Sequence, residues 1–228
     1  MTLNNLATLY RAQGKSSQAE SLYKRALSIK EKKLGPAHPS VATTLNNLGS
    51  LYYDPGNLEE AHLLCQRALA ILEKSVGPEH PEVASCLNNL AFVARQRNRD
   101  AEAELLFRRS LAIWEKAVGP EHPHVAKSLF NLATLYRDSG RYSEAEVLFQ
   151  RSIAIAEKTL GPSHTDIAML LSGYASLLRK DKRKAEATIL EARVKKIAAT
   201  RDWEEPPNSV IDVRDLGREG NAWKEEKK

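Results

Sequence analysis

Four arginines, Arg11, Arg95, Arg137 and Arg179, stand at one register of a 42-residue beat, and Tyr53 fills the remaining copy. A guanidinium presents a planar fork of donors that matches a carboxylate two bonds at a time. A second row, Asn4, Asn46, Asn88, then Phe130 and Ser172, follows the same beat. An asparagine amide offers donors and an acceptor together, so a ladder of them can hold an extended backbone without reading its sequence. Phe92, Phe130 and Tyr53 would add aromatic anchors, and Lys127 one further positive charge. Together these residues could grip an acidic segment that carries an apolar side chain. The bland alternative for the arginines is a solvated charged face paired with Asp138 or Glu144. The second asparagine of each pair, Asn5, Asn47, Asn89 and Asn131, either joins the groove or ties neighbouring repeats together.

A third row is histidine: His38, His80, His122 and His164. Layers of helices pack about 10 Å apart, too far for successive copies to share an ion bound at about 2 Å. These histidines, and the extra His124, are therefore read as helix-entry and packing residues, with no metal and no cofactor expected. Motifs for hydrolytic, zinc-dependent or phosphate-binding catalysis are missing from the sequence, so no enzyme is expected. Cys65 and Cys86 have neither disulfide-framework nor metal-ligand spacing and read as buried thiols.

Rows this regular require regular elements to carry them. Leu34-Gly35-Pro36-Ala37-His38-Pro39 returns at Gly77, Gly119 and Gly161 with no slippage, the mark of a stacked repeat. Glycine ends one helix and proline opens the next. Between copies, Leu45-Asn46-Asn47-Leu48-Gly49 and its equivalents form an apolar stripe at helical spacing. A turn follows (Gly14, Asn57, Asn98, Gly140, Lys182), with Pro55 expected to stop the second repeat's first helix. Second helices then carry Ala19, Ala61, Ala103, Ala145 and Ala187, with Tyr23, Cys65, Phe107 and Phe149 four residues on. The expected fold is all-α: a right-handed α-solenoid of about five antiparallel helix pairs. Repeats fall at about 1–38, 39–80, 81–122, 123–164 and 165–200, the last drifting toward a polar cap, and 201–228 reads as a flexible charged tail.

Net charge is +5, from 34 basic and 29 acidic residues, short of a nucleic-acid-binding stripe. With no apolar run of membrane-spanning length and no leader, neither nucleic acid nor membrane is an expected partner, and the cytoplasm is the expected compartment.

The pattern Leu-x2-Leu-(Ala/Gly)-x2-Tyr followed by Ala-x3-(Tyr/Phe)-x2-(Ala/Ser) resembles the tetratricopeptide repeat. Its 42-residue form, with Leu-Asn-Asn-Leu-Ala and Leu-Gly-Pro-x-His-Pro-x-Val-Ala, is similar to the repeats of kinesin light chains. The resemblance covers residues 1–200. It implies a superhelix whose first helices line a concave groove, and groove asparagines that hold a peptide backbone. Kinesin light chains also carry an amino-terminal heptad segment that nothing here matches. The expected function is a non-enzymatic scaffold binding an acidic peptide segment in that groove. Alternatives are a sensor or docking portion of a larger signalling protein or enzyme, a kinesin-light-chain-like cargo adaptor, and an array that self-associates through its first repeat.

Overall fold

The structure is a computed structural model that describes residues 2–53 and 56–199. Pro55 and the expected 201–228 tail lie outside the described residues. Within them the chain forms ten α-helices: α1 (Leu3–Ala12), α2 (Ser16–Leu34), α3 (Pro39–Leu51), α4 (Leu58–Val76), α5 (Pro81–Gln96), α6 (Asp100–Val118), α7 (Pro123–Asp138), α8 (Tyr142–Leu160), α9 (Thr165–Lys180) and α10 (Lys184–Ala199). None of the described helices is long and apolar enough to cross a membrane. Two compact units result, Met1–Ala117 and Val118–Lys228. The fold is an all-α repeat solenoid of antiparallel helix pairs.

The glycine-proline-histidine punctuation acts through backbone geometry. Gly77 caps α4 at φ 91° and ψ 157°, and Gly35 and Gly161 take closely similar angles. That is the mirror-extended region, open in practice only to glycine. Each histidine then folds its ring onto the next helix. His38 Nδ1 accepts the Ser40 N–H at 3.1 Å, and His80, His122 and His164 accept from Glu82, His124 and Asp166 at 3.2 Å. Each bond satisfies one of the orphan donors that every helix start leaves.

In the first unit the alanine row on α2, α4 and α6 is fully buried, so first and second helices approach closely. Gly49 marks the tightest place: a Cβ there would lie 2.8 Å from Cys65 Sγ. Where α6 has Ser110 in place of the usual alanine, its hydroxyl donates to Ala84 O at 2.8 Å. Second helices are laced side by side by Arg67–Glu31 and Arg109–Glu73, both 2.6 Å. Lys116 adds an ion pair with Glu79 on the preceding linker.

The second unit repeats these devices. Ser152 donates to Ala126 O at 2.6 Å, and Arg193 meets Glu157 at 2.6 Å. Its core holds Phe130 edge-to-face on Phe149, their centroids 5.6 Å apart, with Tyr174 stacked beyond at 6.0 Å. Gly173 makes room for this pair, since a Cβ there would stand 2.6 Å from the Phe130 ring.

Candidate ligand-binding face

First helices carry the rows singled out in the sequence, and each unit offers its own stretch of them. In the first unit, α1, the turn after α3, and α5 place Arg11, Tyr53 and Arg95 at equivalent positions, all partly exposed. Arg11 Nη1 donates to Ser50 Oγ at 3.5 Å, tying α1 to α3. Tyr53 donates its hydroxyl to Asn89 O at 3.0 Å and sets its ring 4.7 Å from that of Phe92, tying α3 to α5. Phe92, expected as a ligand anchor, is only 8% exposed, so it braces the partly exposed Tyr53 ring from beneath rather than offering a surface of its own.

Asparagines behave differently from their simplest reading. Asn46 Oδ1 accepts from Asn89 Nδ2 at 3.0 Å, while the Cys65 thiol donates toward the same oxygen at 4.0 Å. Asn46, Asn88, Asn47, Asn89 and Asn131 are all buried. The Asn46–Asn89 bond makes a second-row asparagine the tie between neighbouring repeats, as the inter-repeat alternative has it, and it occupies the first-row carbonyl as well. Asn4 and Asn5, on α1, keep accessible surface.

Three expectations for the second unit need correction. Phe130 is 0% exposed, because its ring fills the space beside Phe149 and Gly173, so it offers no surface to a ligand. Lys127 is 1% exposed and lines a small pocket with Pro123, Ala126, Ala156, Leu160, Asp166 and Leu170. Arg137 is 8% exposed and spends its guanidinium on Asp138, with bonds of 2.9 and 3.0 Å, which is the paired-face alternative. Glu144, the other partner considered, is held by Arg141 instead. Arg179 is exposed and forked onto Glu191 at 2.9 and 2.7 Å.

His122 and His124 sit together, their rings 5.0 Å apart, near the buried Lys127. Burial, the neighbouring His122 and the Lys127 charge together push His124 down to about 4. Burial lowers His122 too. Among the described residues no group of histidine, cysteine, aspartate and glutamate could hold a metal ion.

Tetratricopeptide repeat sequence patterns match residues 1–74, 83–124, 106–158 and 136–199. The chain belongs to the tetratricopeptide repeat family. Solved tetratricopeptide neighbours include BtubC (BKLC) from P. vanneervenii, at 25% identity and a TM-score of 0.74 over 90% of this chain and 82% of that one. The nearly identical repeats of a Podosopora anserina putative kinesin light chain match at 28% identity and a TM-score of 0.71, over 87% and 93% of the two chains. A Rap protein complexed with competence and sporulation factor shares the fold alone, at 18% identity and a TM-score of 0.75 over 86% and 53%. No curated protein matches the sequence. As a tetratricopeptide repeat array of kinesin-light-chain-like type, the chain has a fold typical of protein–protein interaction scaffolds.

Sequence reasoning missed the ion-pair lacing of the second helices. Its signal was present, since Glu31/Arg67, Glu73/Arg109 and Glu157/Arg193 recur at a separation of 36 residues.

Proposed function

We propose that this chain is a non-enzymatic scaffold that takes an acidic peptide segment on the first-helix face of its first unit. The supporting observation is the partly exposed Tyr53 ring, braced by buried Phe92 and standing at the register that Arg11 and Arg95 occupy in the repeats on either side. An extended segment with a carboxylate for each arginine and an apolar side chain for Tyr53 fits that face. Arg137 and Arg179 contribute less in this reading, because each already holds a carboxylate of its own chain. The same face would serve a docking portion of a larger protein or a cargo adaptor. The reading takes the cytoplasm as its setting, with Cys65 and Cys86 kept as buried thiols.

Calorimetric titration of the full chain with a glutamate-rich peptide bearing one central leucine tests this. Arg95→Glu is expected to weaken binding at least tenfold, and equal affinity for wild type and variant would sink the reading.

A second reading, self-association through the first repeat, is favoured by one observation. Leu9 is 38% exposed, whereas its repeat equivalent Leu51 is buried. Leu9→Asp should abolish any concentration-dependent association of this kind in sedimentation velocity.

A further inference from the structure

Second helices reach back to their predecessors with cations at two registers. Arg67 meets Glu31 and Arg109 meets Glu73 in the first unit, and Arg193 meets Glu157 in the second, each at 2.6 Å. Lys116 and Lys158, seven residues past the arginine register, take Glu79 and Glu121 of the preceding linker. At the same two registers α2 carries Arg25 and Lys32. Both are exposed, and neither has an ion-pair partner among the described residues, where no second helix precedes α2.

Apolar surface lies beside these two cations. Ile29 stands four residues after Arg25 and three before Lys32, hence on the same side of α2. It is 39% exposed, whereas its repeat equivalent Ile113 on α6 is 6% exposed. On α1, Leu9 is open, while its equivalent Leu51 is buried in a cluster with Ala19 and Tyr23 of the repeat before it. The leading face of the first repeat thus keeps the apolar and basic groups that later repeats use to hold a preceding helix.

We infer that this face docks an amphipathic helix of a partner protein, seated against α2 as α4 is seated against α6. The pairs inside the array state what that helix must carry: an aliphatic residue, a glutamate four residues on, and a second acid six residues later. Leu69, Glu73 and Glu79 are one such set. The glutamate meets Arg25, the second acid meets Lys32, and the aliphatic side chain covers Ile29 and Leu9. A second copy of this chain fits less well. Its α10 has Lys195 and Ala199 where α4 has Leu69 and Glu73, and two leading faces brought together would oppose basic residues to basic residues. Docking here does not depend on ligand binding at the Tyr53–Arg95 face.

A fluorescein-labelled peptide of residues 58–80, which holds Leu69, Glu73 and Glu79 in their order, is the probe for fluorescence anisotropy with the full chain. Saturable binding with a dissociation constant below about 100 µM is expected. Arg25→Glu/Lys32→Glu should weaken it at least tenfold, with helical content unchanged by circular dichroism because both side chains are exposed. A peptide carrying Glu73→Lys/Glu79→Lys should bind that variant and fail on wild type. Four outcomes overturn the inference: no binding up to about 100 µM protein, undiminished affinity in the Arg25/Lys32 variant, loss of binding in Arg95→Glu, which would put the peptide on the first-helix face, or a dimer of the chain alone that Leu9→Asp dissolves in sedimentation velocity, which would give the face to a second copy.

Discussion

Asn89 donates its side-chain amide to the side-chain carbonyl of Asn46 across 3.0 Å, joining α5 to α3 inside the first unit. Both residues are buried, so the bond is made where water cannot replace it. An asparagine row that looks like a ligand ladder is here a bracket between repeats.

Asn89→Ala should therefore destabilise the protein rather than merely weaken a ligand. It strands the Asn46 oxygen with only the distant Cys65 thiol, and an unsatisfied buried acceptor costs about 1–3 kcal/mol. Urea denaturation would show a lower midpoint at unchanged slope.

Gly173→Ala should cost about 1–3 kcal/mol through overpacking. The added methyl meets the Phe130 ring at 2.6 Å and the Phe149 ring at 3.0 Å, and neither ring has room to retreat. Gly173→Ala combined with Phe130→Leu should recover part of the loss in thermal melts, since a smaller side chain then faces the methyl.

Ala156→Leu should stabilise the second unit by about 1 kcal/mol. Equivalent positions in earlier repeats hold Lys30, Leu72 and Trp114, and the small side chain leaves the pocket between α7, α8 and α9. A lowered melting temperature would show that the pocket cannot accept the added carbons.

Acid should destabilise the protein through His124. Its folded value, about 4, lies below the ordinary 6.5, so between those limits the unfolded chain binds the extra proton. Stability then rises with pH from about 4 to 6.5 and levels off above. His124→Leu should flatten that slope, removing on the order of 2–3 kcal/mol of pH dependence relative to wild type. Parallel denaturation series at pH 4.5 and 7.5 would measure the difference.

Much of the fold is legible in the sequence because its determinants are local and repeated. Gly77 ends α4 and His80 starts α5 whatever surrounds them, and Ala61 with Cys65 marks a close helix contact by size alone. Site residues are less legible because exposure depends on neighbours one repeat away. Phe130, Asn46 and Asn88 share a register and all are buried, the first because Gly173 opens a place for its ring inside the second unit. Arg137 stands at a register that suggests a ligand contact, but Asp138 beside it claims its fork. Register identifies a position; the side chains across from it decide what that position presents.

The bonds that join the helices share one property, which is how short their reach along the chain is. Asn89 to Asn46 spans 43 residues, Arg109 to Glu73 spans 36 and Ser110 to Ala84 spans 26. Closing such short loops costs little entropy and needs no partner from a distant part of the chain. A growing polypeptide could thus lock each helix pair onto the one before it soon after both leave the ribosome. Order would then advance along the nascent chain in step with synthesis, and a pulse-labelled, stalled chain of two repeats should already resist protease.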